Sequence, residues 1–185
     1  ASSVVFIVLG LAFTLLVIMS GFALFNASIE RVAYKPLRAA PRLAPLITAI
    51  GVSFIVQNIG LAIYGVNYQT VPNFIPRTDV ISIGDISYSW SKASVLIIVI
   101  PLLIVLSWFV RSTKQGKAMR AVAQDREASA MMGIDVNRTI SVTFLLAGSL
   151  AGAAGIIYLL QFNMRYDTGF ELGLIAFTAA VLGGI

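Results

Sequence analysis

Side chains able to bind or transform a small molecule are few and unevenly placed. The chain has no Cys and no His, so it lacks a thiol nucleophile, the commonest metal ligand and the commonest acid–base group. Its eight carboxylates form no cluster with the partners that nucleophilic or metal-assisted catalysis needs. Gly116-Lys117 is not a phosphate loop, because the preceding Gly and the following Ser or Thr of G-x-x-x-x-G-K-[ST] are missing. The expectation is a chain with no catalytic, metal-binding or cofactor-binding residue of its own. Non-covalent recognition remains. Gln57 and Asn58 place two amides in the middle of an apolar run, with Thr48 and Ser53 before them. At such depth an amide either makes an interhelical hydrogen bond or lines a wet cavity that meets a polar solute. Both readings stay open on the sequence.

The elements that hold these residues are apolar blocks. The chain is 58% hydrophobic and 11% charged, whereas a soluble domain carries about 25% charged residues. A bilayer core needs roughly 20 apolar residues as helix. Spans are expected at about 4–29, 46–66, 94–110 and 140–160, with an incomplete fifth at 172–185. The fold class is an all-α polytopic membrane protein, one transmembrane domain over residues 1–185. The first block lacks a basic leading region and an obvious cleavage site, so it reads as a span and not a signal peptide. A start at Ala and an end inside an apolar run suggest an internal fragment of a longer protein.

Charge sets the orientation. All 21 charged residues lie outside the four blocks, and ten of the thirteen basic ones lie in the linkers 30–45 and 111–139. Linkers 67–93 and 161–171 hold only Arg77, Lys92 and Arg165. The positive-inside rule makes the first pair cytoplasmic and the second pair external. Basic residues that flank spans also explain the net charge of +5 without any nucleic-acid partner. The spans hold no Asp, Glu, Lys, Arg or His, whereas a proton-driven carrier needs an ionisable relay at membrane depth.

Block four carries Gly148 and Gly152 in a GxxxG, extended by Gly155, a spacing that lets helix backbones approach closely in lipid. Pro101 in block three removes a backbone donor and predicts a kink, either as ordinary membrane-helix geometry or as part of a transport path. The external linker alternates polar and apolar residues around Gly84-Asp85 and predicts a small β-hairpin.

The segment from Gly116 to Ile134 is the most distinctive in the chain. It reads as two short helices, with Asp125 as the N-cap of the second, Glu127 in its first turn and Gly133 just past its end. Ala128, Met131 and Met132 give it a soft apolar face. A capped cytoplasmic helix between two spans is either a handle for a motor subunit or a helix resting at the headgroups.

Here the sequence resembles the permease subunits of bacterial ABC importers for branched-chain amino acids. The stretches that carry the likeness are Glu30-Arg31-Val32-Ala33-Tyr34-Lys35-Pro36-Leu37-Arg38, the run from Ala49 to Asn58, the Gly116–Ile134 segment and the run from Ala176 to Ile185. Glu127-Ala128-Ser129-x-x-x-Gly133 partly matches the Glu-Ala-Ala-x-x-x-Gly loop of such importers. Ser129 stands for the second Ala, and the downstream Ile-x-Leu-Pro is absent.

The resemblance implies a helical bundle similar to type II-like importers in the bacterial inner membrane. It implies partners: cytoplasmic ABC ATPase subunits that bind ATP, a second permease subunit and an extracytoplasmic solute-binding protein. It also implies that Gly116, Arg120, Asp125, Glu127, Ala128, Met132 and Gly133 belong to the ATPase-coupling region. Gln57, Asn58 and Pro101 are the candidates for the translocation path. The competing readings are the same machine carrying urea, an amide or a sugar, an ion-coupled secondary carrier, and an intramembrane enzyme.

Overall fold

The computed structural model describes residues 2–40, 44–68, 79–83 and 86–183. Seven α-helices and two strands follow one another among the described residues. The first helix, α1, runs Ser2–Ile29. It continues as a π-helical turn at Glu30–Tyr34 and a 3-10 turn at Lys35–Ala39. Pro36 accounts for the change of winding: it has no N–H to donate, and its ring collides with the carbonyl four residues back. The sequence ends the first apolar block at about residue 29; the structure keeps the chain helical to Ala39 and buries Glu30.

Helix α2 spans Ala44–Tyr64. Strands β1 (Asp79–Ile83) and β2 (Ile86–Ser89) pair antiparallel, with Ile83 opposite Ile86 and Asp79 opposite Ser89. These are the arms of the expected hairpin; its Gly84-Asp85 tip lies outside the described residues, as do Pro72, Pro76 and the final Gly184-Ile185. Helix α3 is Trp90–Ser112 and stays α-helical across Pro101. Two short helices follow, α4 (Lys114–Gln124) and α5 (Arg126–Met131). The long α6 (Val136–Gln161) and the shorter α7 (Thr168–Leu182) complete the chain. Both α3 and α7 begin four residues before the apolar blocks expected for them.

Among the described residues, four helical stretches are long and apolar enough to cross a membrane: Ala12–Arg38, Ala44–Tyr64, Val95–Ser112 and Val136–Leu159. Their surfaces fit lipid and not water. Leu16, Ile55, Ile104 and Trp108 are all more than half exposed, while Val122, Ala153 and Ile157 are the buried apolar residues among those described. Hydroxyls along the spans fold back on their own helices: Thr14 donates to the Gly10 carbonyl and Thr48 to that of Ala44, both at 2.9 Å. In hydrocarbon such internal pairing spares a hydroxyl the cost of an unsatisfied polar group.

The chain divides into two compact units. One comprises Ala1–Glu30 with Asn73–Ile157, the other Arg31–Pro72 with Tyr158–Ile185. In the first, α6 lies against α1 through its glycines. A Cβ on Gly148 would stand 2.6 Å from both the Asn26 Cβ and the Phe22 carbonyl oxygen, and one on Gly152 3.0 Å from the Phe22 Cβ. Among the described residues nothing beyond its own helix lies within 4 Å of a Cβ built on Gly155. In the second, α2 meets the start of α7. The Phe54 and Phe170 rings are 5.6 Å apart, and a Cβ on Gly60 would be 3.5 Å from the Tyr166 Cβ.

Candidate functional site

The ends of α4 and α5 are closed by local bonds, although Gln115 Nε2 in the first turn of α4 is buried without a hydrogen-bond partner among the described residues. The segment starts at Thr113, whose hydroxyl donates to the Phe109 carbonyl at 2.7 Å and accepts from the Gly116 amide at 3.0 Å. One side chain thus closes the end of α3 and opens α4. Gly116 is buried at this junction, where a Cβ would lie 2.3 Å from the Val110 carbonyl oxygen and 2.4 Å from that of Phe109. No rotamer change relieves a clash with backbone, so only glycine permits so tight a turn. Exposed Arg120 reaches back to the Arg111 carbonyl at 3.4 Å.

Asp125 ends α4 and begins α5. Its Oδ1 accepts from the amides of Glu127 (2.9 Å) and Ala128 (3.0 Å), two donors that a helix start otherwise leaves open. Ser129, buried, donates its hydroxyl to the Asp125 carbonyl at 2.6 Å. Glu127 stands in the first turn, where the helix dipole favours a negative charge. At the other end Gly133 has φ +82°, the left-handed conformation that side chains resist. Its amide bonds the Ala130 carbonyl at 3.0 Å and the Ile134 amide bonds that of Ser129 at 3.1 Å, the Schellman pattern. A six-residue helix is marginal alone; here both ends are closed. Ala128 is half-buried, whereas Met131 and Met132 are 83% and 82% exposed.

The polar groups of α2 are disposed differently. Asn58 is exposed and spends its Nδ2 on the Phe54 carbonyl of its own helix at 2.8 Å. Gln57, one residue earlier and about 100° around the helix, is half-buried. Its Nε2 is fully enclosed and has no hydrogen-bond partner among the described residues. Such a donor is rare in a native structure and asks for an explanation. Pro101 is exposed on α3.

Three features escape a sequence reading. Glu30 is 3% exposed and its Oε2 accepts from the Ser141 hydroxyl at 3.0 Å. Asn26 Nδ2 donates to the Phe144 carbonyl at 2.7 Å, a second bond between α1 and α6. Between α6 and α7, Arg165 grips Asp167 with two hydrogen bonds, one of them Nε to Oδ1 at 2.8 Å. The guanidinium also lies 5.5 Å from the Tyr68 ring centroid and 5.6 Å from that of Tyr166. The Arg165 hydrogen bonds, opposed by slight desolvation, hold the Asp167 carboxyl below its ordinary range, and the same pairing raises the Arg165 guanidinium. No spacing rule links residue 30 to 141; the Arg-x-Asp pair was visible but carried no motif.

Comparison with known proteins fits this arrangement. The profile of the family described as "Branched-chain amino acid transport system / permease component" matches residues 1–185. The chain is 35% identical over 165 residues to the high-affinity branched-chain amino acid transport system permease protein BraD of Pseudomonas aeruginosa, covering 87% of this chain and 54% of that one. It is 36% identical over 166 residues to the corresponding permease protein LivH of Escherichia coli K12, with the same coverages. It is also 37% identical over 89 residues to the autoinducer 2 import system permease protein LsrC of Klebsiella pneumoniae, 48% of this chain and 26% of that one. The chain therefore spans about half the length of BraD and LivH. No solved structure matches it. The apolar helices and these relatives make it a multi-pass protein of the bacterial inner membrane. From its first residue to its last, this chain belongs to the permease-component family of branched-chain amino acid transport systems.

Proposed function

We propose that this chain is part of the membrane-spanning permease subunit of an ATP-driven importer that carries branched-chain amino acids across the inner membrane. ATP is bound and hydrolysed on separate cytoplasmic subunits, a second permease subunit completes the pathway, and a solute-binding protein delivers the amino acid from outside. The linkers 30–45 and 111–139 face the cytoplasm, as their basic residues favour.

The observation that carries this reading is the α4–α5 segment. Both its junction with α3 and its two helix ends are closed by hydrogen bonds, yet Met131 and Met132 project almost fully exposed. Methionine suits an adaptable apolar contact, and a rigid mount transmits force better than a loose one. Closure of the ATPase pulls on this tip and moves α3 through the Thr113–Gly116 joint. Along the path, the amide nitrogen of Gln57, enclosed here without a partner among the described residues, would meet a polar solute once the spans move apart around it, whereas Asn58 is already bonded. Relatives named for two different cargoes leave a second reading, the same machine carrying another small solute.

The test uses the full-length protein with the products of its neighbouring genes. An ATPase should co-purify, and labelled Leu, Ile or Val should accumulate in ATP-loaded proteoliposomes. Gly133→Val and Glu127→Lys should leave insertion intact but separate ATP hydrolysis from uptake, with uptake falling about tenfold or more. Normal transport with normal stimulated hydrolysis in both variants rejects the docking role. Uphill uptake driven by an ion gradient alone rejects the importer.

A further inference from the structure

We propose that Glu30 is a positioning residue of the transport cycle, which ties the π-helical end of α1 to the opening turns of α6 so that displacement of the α4–α5 segment reaches α1. The inference rests on the importer reading above.

Ile18, Phe22, Asn26 and Glu30 recur every four residues and share one face of α1. The groups of α6 meet them in reverse order. A Cβ on Gly152 would lie 3.2 Å from the Ile18 carbonyl oxygen, one on Gly148 would strike Phe22 and Asn26, and the Phe144 carbonyl accepts from Asn26. Ser141 then donates to Glu30 at 3.0 Å. The seam therefore changes character along its length. Toward the middle of the spans it is close backbone contact at glycine, and at its end it is two directional bonds. Close contact at glycine constrains separation, whereas hydrogen bonds also resist sliding, because their strength falls steeply with misalignment.

The position of the bond matters as much as its strength. Ser141 follows α5 by one short connection that is itself bonded at each turn. The Asp135 carboxylate accepts from the Arg138 amide at 3.0 Å, and the Thr139 hydroxyl, buried with its residue, donates to the Asp135 carbonyl at 2.8 Å. Glu30 is the first residue of the π-helical turn, where α1 leaves regular winding. The bond thus joins the opening turns of α6, which start from the Asp135 bonds, to the place where α1 changes its winding. Single π-turns inside helices recur at functional sites. Neither membrane insertion nor close packing asks for a buried carboxylate there, and burying one is costly without donors aimed at it.

The experiment measures ATP hydrolysed per solute imported, using the full-length protein with its ATPase and binding protein in proteoliposomes. Ser141→Ala removes one hydroxyl and is the gentlest variant; it should raise that ratio about fivefold or more while the complex assembles in unchanged stoichiometry. Glu30→Ala should do at least as much, and adding Ser141→Ala to it should change little, since the two residues share one bond. Glu30→Gln keeps an oxygen acceptor and should restore the ratio to within about twofold of the parent. A purely structural role would lower hydrolysis and uptake together and leave the ratio alone, and an unchanged ratio in Ser141→Ala overturns the proposal. Uptake by the parent complex without ATP consumption removes the importer reading instead, before any variant is made.

Discussion

The helix ends of α4–α5 and the middle of α2 treat their polar groups differently. At those ends the side chains of Thr113 and Asp125 each serve two partners, and the amides of Gly133 and Ile134 close the last turn, although Gln115 Nε2 in the first turn of α4 is buried without a partner among the described residues. In α2, an apolar span, the Gln57 amide nitrogen is enclosed without a partner among the described residues. Environment alone predicts the reverse, because water forgives an unpaired group and a low-dielectric interior does not. On the importer reading proposed above, the contrast would separate two tasks: a part that transmits force gains from having one conformation, and a part that meets a moving solute keeps a bond in reserve.

The most severe way to break the comparison is to unseat α4. Gly116→Val places new atoms where the Val110 and Phe109 carbonyl oxygens already stand. Neither oxygen belongs to a flexible side chain, so α4 must swing away from the end of α3. The expected cost is about 3 kcal/mol or more, at or above the usual range for overpacking. Uptake is expected to disappear, and the melting temperature of the purified full-length protein should fall by several degrees. Gly155→Val, made in parallel, meets no such obstacle and should melt close to the parent. Equal melting of all three proteins would mean that the α3–α4 joint is not the tight one described.

A subtler variant sharpens the other side of the comparison. Gln57→Leu removes a buried donor that nothing satisfies, so stability should stay within about 1 kcal/mol of the parent, on the favourable side if anything. Uptake should nevertheless fall about tenfold, or competition among Leu, Ile and Val should change, because a solute loses its hydrogen-bond partner. Asn58→Leu removes a bond within one helix and should shift uptake less than about twofold. Identical transport by both variants would return Gln57 to packing.

These two regions also differ in how much of them the sequence discloses. The spans appear as long uncharged runs, and the closed ends of α5 appear as Asp125 and Gly133 at the right spacing, because each cap spans only a few residues. The hairpin arms appear as alternation around Gly84-Asp85. Long-range partners do not appear. Glu30 looks like the charge that stops a span, and the Ser141 hydroxyl that bonds it in the folded chain comes 111 residues later. Gly148, Gly152 and Gly155 look alike as small residues, yet the first two face α1 and the third does not. Gln57 and Asn58 are neighbours of the same chemistry, yet Asn58 is exposed and bonded to its own helix while the Gln57 nitrogen is enclosed and unpartnered among the described residues. Gly116 reads as a weak helix residue until the Val110 carbonyl is seen beside it.

The smallest expected effect concerns the turn that leads into α7, where Arg165 holds Asp167. This pair resembles the helix ends of α4–α5 in being locally satisfied: the Arg165 amide also donates to the Thr168 hydroxyl at 3.0 Å, and the Thr168 amide to the Arg165 carbonyl at 3.2 Å. The Asp167 carboxyl is held below its ordinary value of 3.8 chiefly by the Arg165 hydrogen bonds. A carboxyl depressed in the folded state contributes its stabilisation above the unfolded value, and that contribution is lost as pH falls through the folded one. Melting of the full-length protein should therefore not respond to this pair between about pH 7 and pH 5, and should drop only below about pH 4. The pair is partly open to water, so the drop should be modest and should shrink in high salt. Asp167→Asn removes the titrating group and should flatten that acid limb relative to the parent. An acid limb that survives Asp167→Asn unchanged would assign it to other carboxylates, and would leave the turn held by Thr168 and the tyrosine rings alone.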